Sequence, residues 1–449
     1  MAKARSTTLF VCSECGEEYI QWQGRCSNCG NWNTLKEFSI PSDRGPKGRA
    51  GGYSGQTEST AQKLSDITGD KLERRSTGVP EMDRVLGGGI VPGSVLLLGG
   101  DPGIGKSTLL LQVASIFKGN VLYVSGEESP EQIKLRAERL KLSSQDLSLL
   151  PATDVNVIAT HIDQEKPDLL VIDSIQTMYD PAFPSTPGSI VQVRETAIRI
   201  QQIAKSRGLS VVLVGHITKE GTVAGPRTLE HLVDVVLYLE GESHHELRVL
   251  RAAKNRFGDA SETGLFAMGE KGLEEVRNPA EFLLAERVQA PGSVLTAVME
   301  GSRPILVEVQ ALTTPTVFGY PRRTVSGFDL NRLNLLLAVL QRRAGLDLSN
   351  QDVFVNVVGG LKIKDTAVDA AVCCALASAL VGSSVDERLC VIGEVGLAGE
   401  IRTVTQQKRR EKEVTTLGYT LAKHTKELRE LLRSLGLLKP KSSKNSLPE

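Results

Sequence analysis

The 449-residue chain has no run of about 18 consecutive apolar residues and no apolar leader after its first methionine, so neither a membrane span nor a signal peptide is expected and the protein is expected to be cytoplasmic. Net charge is missing too. The 53 basic residues balance 53 acidic ones, which leaves no global positive field, so a nucleic-acid surface would have to be a local patch. A disulfide framework is the third absence, because seven cysteines in a reducing compartment need another explanation. What is present is apolar material for real cores, 40% of the residues, in a chain whose length corresponds to roughly three domains.

Four cysteines stand together. Cys12, Cys15, Cys26 and Cys29 form two CxxC pairs, each followed by glycine and separated by ten residues. Each pair turns two thiolates toward one point, and the two pairs complete a closed tetrahedral shell for structural zinc. The module, residues 1–38, has too little apolar surface to fold alone, and zinc can supply roughly 10–16 kcal/mol. Both tryptophans, Trp22 and Trp32, lie in it. They can pack beside the metal or stack on a base, and packing is the expectation. Cys373, Cys374 and Cys390 lie in apolar surroundings and are expected to be inert core residues.

Residues 39–62, rich in Ser, Gly, Pro and Arg, read as a flexible linker. Strand-like and helix-like periods then alternate through 63–287, the pattern of a mostly parallel α/β sheet covered by helices. A second mixed α/β region is expected over 288–438, and the polar tail 439–449 is expected to be disordered.

GDPGIGKST, comprising Gly100, Asp101, Pro102, Gly103, Ile104, Gly105, Lys106, Ser107 and Thr108, fits the P-loop pattern between an apolar strand and an apolar helix. Its backbone amides would wrap the phosphates of ATP, Lys106 would bridge the β and γ phosphates, and Ser107 would ligate Mg2+. A second acid is needed on the neighbouring strand, and DLLVIDS offers Asp173. For the attacking water, Glu127 is the expected base, with Glu128 the alternative; both could instead cap the helix beginning near Pro130. Further along, the strand-like HELRVLRAA runs into Lys254, Asn255, Arg256, Phe257 and Gly258. By itself this is either a solvated surface loop or a phosphate contact.

The CxxC pairs, STGVPEMDRVLGGGIVPGS, GDPGIGKST, VSGEES, VIDSIQT, the pentapeptide KNRFG, NVVGG and GEVGLAGEIR occur in this order over nearly the whole chain. The ordered set resembles the bacterial RadA (Sms) family of DNA-repair ATPases in the RecA-like superfamily. The resemblance implies a RecA-like P-loop core with an N-terminal C4 zinc ribbon and a C-terminal domain similar to the proteolytic domain of Lon. It also implies a DNA-stimulated ATPase that forms a homo-oligomeric, hexameric ring. Such a ring translocates on single-stranded DNA and promotes branch migration of branched recombination intermediates alongside the RecA recombinase.

In RecA-like assemblies the nucleotide lies between subunits, and the resemblance makes Lys254 and Arg256 fingers on the neighbour's γ-phosphate. Asn255 would fix their turn, with Phe257 and Gly258 shaping it and Phe257 packing rather than stacking on a base. His216 becomes a candidate γ-phosphate sensor or an ordinary hydrogen-bonded histidine. The run from Lys219 to Arg227 becomes either a DNA-contacting channel loop or an unremarkable surface loop. Alignment with Lon puts Ala367 where a serine nucleophile would stand, so Lys408 has no partner for peptidase chemistry. Arg402, Lys408, Arg409 and Arg410 would offer charge to duplex DNA, or would form a solvated helix face.

Overall fold

The computed structural model describes residues 7–12, 18–28, 30–40, 73–183, 185–215, 229–241, 246–317 and 319–438. Cys15, Cys29, His216, Lys219, Arg227, the 41–62 part of the linker and the tail 439–449 lie outside the described residues. Two compact units divide the chain, Met1–Glu240 with Arg248–Glu275, and Gly241–Leu247 with Val276–Glu449.

The N-terminal module is a three-stranded antiparallel sheet, β1 (Thr7–Cys12), β2 (Glu18–Tyr19) and β3 (Leu35–Ile40), in the order β2-β1-β3. Among its described residues, Cys12, Cys26 and Leu35 form a buried cluster, with Phe10 and Tyr19 packed against them. Two cysteines within that cluster suit a module whose folding draws on a bound metal.

The rest of the first unit is a nine-stranded sheet. In chain order its elements are α1 (Pro80–Leu86), β4 (Val95–Gly100), α2 (Lys106–Ile116), β5 (Val121–Ser125), α3 (Pro130–Arg139), β6 (Leu147–Pro151), α4 (Val155–Glu165) and β7 (Leu169–Asp173). Then follow α5 (Ile190–Arg207), β8 (Ser210–Val214), β9 (Val235–Glu240), β10 (Leu247–Asn255), β11 (Thr263–Gly269) and β12 (Gly272–Glu275). The strand order is β12-β11-β10-β9-β4-β8-β7-β5-β6. From β9 to β6 all pairings are parallel. The strands VLLLGG, VLYVS, LLVID and SVVLV are buried along their whole length, as parallel strands covered by helices on both faces must be. One face buries α2 residues such as Leu110 and Val113; the other buries Ile158 of α4 and Ile200 of α5.

This order corrects one expectation. Asp173 is not on the strand beside the P-loop strand, because β8 pairs with both β4 and β7 and separates them. A strand-by-strand reading of the chain sees which strands exist but not which one is inserted between two others.

In the second unit the elements are α6 (Pro279–Leu284), β13 (Ser293–Glu300), β14 (Arg303–Pro315), β15 (Arg323–Ser326), α7 (Leu330–Val339), β16 (Gln351–Val357) and α8 (Asp369–Val381). They continue with β17 (Leu389–Cys390), β18 (Glu394–Val395), β19 (Ile401–Arg402), α9 (Gln407–Thr416), β20 (Thr420–Leu421) and α10 (Leu428–Ser434). A six-stranded sheet, β15-β16-β14-β13-β17-β20, is accompanied by the hairpin β18-β19. Helix α6, which precedes residue 288, belongs here: its Ala280 packs with Leu295 and Leu306.

Helix α8 is buried from Asp369 to Ser378. Its Cys373 and Cys374, and Cys390 on β17, are fully covered. Burial raises all three thiol pKa values, that of Cys374 to about 12. Ala367 is also fully buried, and Lys408 and Arg409 are exposed on α9.

Arg410 departs from the expected DNA-facing set. It shares the inward face of α9 with Val414, four residues on, and is 0% exposed. Its Nη1 donates to Asp365 Oδ2 and to the Ala297 carbonyl, both at 2.7 Å, and Nε donates to the Thr405 carbonyl at 3.1 Å. Arg410 is a core residue and not a DNA contact. Among the described residues, no helix is long and apolar enough to cross a membrane.

Candidate nucleotide site

The P-loop joins the end of β4 to the start of α2. Ile104, 5% exposed, anchors it in the core, while Asp101, Pro102 and Gly103 are exposed. Gly103 has φ +76° and nothing within 4 Å of a would-be Cβ, so its backbone is open to a ligand. Gly105 has φ +113°, in the left-handed region that favours glycine, and packs beside Met268 of β11. Lys106 is 3% exposed and donates to the carbonyls of Gly100 at 2.9 Å and Asp101 at 3.0 Å. Burial lowers its pKa, and the charges of Asp173, Asp101 and Glu127 push it back up. Ser107 and Thr108 follow, half-buried in the first turn of α2.

Two carboxylates approach from the strands beyond β8. Asp173, at the end of β7, is level with Ser125 of β5 and 8% exposed. Its Oδ2 accepts a hydrogen bond from the Tyr123 hydroxyl at 2.6 Å. Burial of Tyr123, followed by the charge of Asp173, raises the phenol pKa well above its usual value. Glu127 is exposed, and its Oε1 accepts from Ser174 Oγ at 2.5 Å. Glu128 is engaged elsewhere: its carboxylate pairs with Arg136, and its backbone N–H and C=O both bond Ser125 Oγ. Neither glutamate caps α3. Ser129 does, in a capping box with Gln132.

The open glycine backbone, the buried ammonium and a carboxylate with one oxygen already engaged fit a nucleotide triphosphate and its magnesium. Ser107 and Asp173 would hold the ion, which when bound offsets charge on the phosphate oxygens.

The KNRFG turn lies at the opposite end of the same sheet's strands, where β10 finishes. Strand β9 runs parallel to β4, β10 runs antiparallel to β9, and Arg256 N donates to the Asp234 carbonyl at 3.1 Å while Asp234 N donates to the Val95 carbonyl at 2.9 Å. Arg256 is therefore level with Val95, the first residue of β4. Five strand residues, roughly 17 Å, separate that level from Gly100. A register shift between Ala252 and Lys254 re-aims the strand end. Lys254 Nζ donates to the carbonyls of Glu230 at 2.7 Å and Val233 at 2.8 Å, and its pKa is lowered by desolvation and then by Arg256.

Asn255 Oδ1 accepts from Phe257 N at 2.9 Å, closing an Asx turn. Arg74 Nη2 ties the Phe257 carbonyl at 2.5 Å, and a Cβ on Gly258 would crowd Asn255 Nδ2 at 3.2 Å. The Phe257 ring is 37% exposed. Arg256 is half-exposed, with Nη1 at 3.0 Å from Asp234 Oδ1.

In the ribbon, Cys12 and Cys26 are fully buried, Cys12 Sγ donates to Thr34 Oγ1 at 3.2 Å, and the Tyr19 hydroxyl lies 3.2 Å from Cys26 Sγ. Buried thiols with hydroxyl neighbours suit a zinc-thiolate centre. The tryptophans do not pack as expected. Trp22 is 57% and Trp32 69% exposed, and the Arg25 guanidinium lies 5.9 Å from the Trp32 ring centroid. The described residues around them leave both rings largely open to solvent.

Tyr123, Ser174 and Asp234 were not singled out in the sequence. Ser174 had a usable signal, since it directly follows Asp173. So did Asp234, a lone acid entering the apolar strand VVLYL. Tyr123 had none, because a tyrosine in VLYV reads as core.

The P-loop, its strand order and the flanking modules define a RecA-like P-loop ATPase with an N-terminal zinc ribbon and a C-terminal α/β domain. A model of the AAA domain matches residues 60–222, and a model of the rubredoxin metal binding domain matches residues 10–37. The DNA repair protein RadA of Bacillus subtilis is 49% identical over 426 residues, covering 93% of this chain and 92% of that protein. RadA of Listeria monocytogenes is 48% identical over 423 residues, with 93% and 92% covered. Among solved structures, the RadB recombinase aligns with a TM-score of 0.37 at 26% identity, over 45% of this chain and 99% of that one. The chain belongs to the RadA family of DNA repair proteins.

Proposed function

We propose that this ATPase is a DNA-stimulated motor that works as a closed homo-oligomeric ring, a hexamer, on single-stranded DNA. It drives branch migration of recombination intermediates together with the RecA recombinase. The observation that carries the reading is the separation of the two halves of the site on one sheet. Gly100 opens the P-loop at one end of β4, and Arg256 sits level with Val95 at the other. An arginine roughly 17 Å down the strand is out of reach of its own subunit's phosphates and is suited to those of a neighbour. Arg256 is therefore assigned as the finger in trans, Lys106 as the phosphate clamp, and Ser107 and Asp173 as the magnesium ligands.

Glu127 is assigned as the base because Glu128 is tied to Arg136 and Ser125. Of the two expected fingers, Lys254 is reassigned here: with its ammonium on the Glu230 and Val233 carbonyls it supports the finger turn, and Arg256 keeps the finger role. His216 as γ-phosphate sensor, Lys219 and Arg227 as channel contacts, and Lys408 and Arg409 as duplex contacts complete the assignment. The Lon-like domain is proteolytically inactive, since Ala367 has no oxygen with which to attack a peptide.

The test is ATP hydrolysis by the parent and Arg256→Ala with and without single-stranded DNA. The parent is expected to be stimulated. The variant is expected to bind nucleotide normally and to lose hydrolysis by a factor on the order of 10³. Hydrolysis by Arg256→Ala at the parental DNA-stimulated rate would remove the finger, and absence of stimulation in the parent would remove the motor.

A further inference from the structure

We propose that Asp234 is a positioning residue for the Arg256 finger, holding one edge of the guanidinium so that the other is aimed outward before a phosphate arrives; this rests on the finger reading above. Asp234 is 4% exposed at the residue preceding β9. A buried carboxylate is tolerated only when charge and hydrogen bonds compensate it. Here Oδ1 accepts from Arg256 Nη1 at 3.0 Å and Oδ2 from Val95 N at 3.1 Å. The backbone repeats both links, since Asp234 N donates to the Val95 carbonyl and Arg256 N donates to the Asp234 carbonyl. Asp234 is thus fixed to the first residue of the P-loop strand from two directions. Lys254 secures the turn before it by holding the Glu230 and Val233 carbonyls.

Arg256 itself is 49% exposed. A guanidinium has five donors in a planar fork, so one edge can stay on a carboxylate while the other meets phosphate oxygens. Rotamer freedom that a mobile arginine would lose on contact is then given up in advance, which is worth about ten-fold in rate.

The experiment measures ATP hydrolysis with single-stranded DNA, and equilibrium binding of a fluorescent ATP analogue, for the parent, Asp234→Asn, Asp234→Glu, Arg256→Ala and Asp234→Asn/Arg256→Ala. Asp234→Asn keeps an acceptor for Val95 N and is expected to lower kcat about ten-fold without changing analogue affinity. Asp234→Glu keeps the charge but displaces it by one methylene, and is expected to fall between Asp234→Asn and the parent. In the Arg256→Ala background the Asp234→Asn change is expected to lower kcat no further, because Asp234 acts only through Arg256. Parental kcat in Asp234→Asn beside an impaired Arg256→Ala overturns the positioning role and leaves the finger intact, as does an additional loss in the double variant. Parental kcat in Arg256→Ala removes the finger and this proposal with it. If Asp234→Asn does not fold, Asp234→Glu decides, and its parental kcat would overturn the role.

Discussion

Replacing Arg410 with methionine separates a structural cation from a DNA-binding one. The side chain is fully buried, and its charge is compensated by Asp365 at 2.7 Å. Breaking a buried pair by removing one partner costs about 3–5 kcal/mol, because the remaining charge is left uncompensated. The lower end applies for two reasons. Asp365 keeps hydrogen bonds from Met299 N at 2.9 Å and Ala367 N at 3.0 Å, and its side chain is 17% exposed. Arg410 Nη2 is buried without a partner among the described residues, so part of the desolvation penalty is already uncompensated in the parent.

A loss of about 3 kcal/mol in a unit of this size corresponds to a fall in Tm of roughly 6–12 °C. Calorimetry of the full chain reads it, with Lys408→Ala and Arg409→Ala as exposed controls expected to stay within about 0.5 kcal/mol of the parent. Changing Asp365 to Asn together with Arg410→Met is expected to recover part of the loss, since the isolated charge is gone. An Arg410→Met protein that melts like the parent but binds duplex DNA with a shallower salt dependence would refute the burial argument and return Arg410 to the DNA-facing set.

Two further outcomes follow from the sites. Ser174→Ala removes a 2.5 Å hydrogen bond to the Glu127 carboxylate, and a bond to a charged group is worth about 1.5–3 kcal/mol. kcat is expected to fall about 10- to 100-fold with nucleotide affinity unchanged; an equal loss of affinity would mean that Ser174 holds the loop rather than the base. Cys374, whose pKa is raised by burial from 9.0 to about 12, is expected to resist thiol reagents at neutral pH until the chain unfolds. The unfolded thiol ionises near 9.0 and the folded one only near 12, so its contribution to stability is complete below 9.0 and is lost as pH rises across that interval. Fast labelling of Cys373, Cys374 or Cys390 in the native protein would contradict their burial.

Motifs whose chemistry is local were legible. The P-loop is one turn between a strand and a helix, and its glycines report the backbone angles directly, so Gly103 and Gly105 are where the pattern puts them. The four-cysteine spacing is similarly local, although the exposure of Trp22 and Trp32 was not, because it depends on which side chains the fold brings beside them. Strand order was illegible. Nothing in DLLVIDS or LSVVLVGHI says that β8 inserts between β4 and β7, since both are uniform apolar runs whose sequence is indifferent to the neighbour chosen.

Arg256 and Arg410 show where such reading ends. Both are arginines in basic clusters near the end of an element, and the family resemblance offers both to phosphates. In the structure each is paired to a carboxylate, Asp234 at 3.0 Å and Asp365 at 2.7 Å. What separates them is where the element leads the side chain. The register shift before Lys254 and the Asx turn at Asn255 leave Arg256 half in solvent just past the end of β10, whereas the helical period places Arg410 on the face shared with buried Val414. An ion pair is therefore not the discriminating feature of a working arginine. Between these two, a second edge of the guanidinium left accessible while the first is held is found at Arg256 alone, with exposures of 49% and 0%. What sets Arg256 apart from other exposed pairs is that its carboxylate, Asp234, is itself buried and fixed to the P-loop strand.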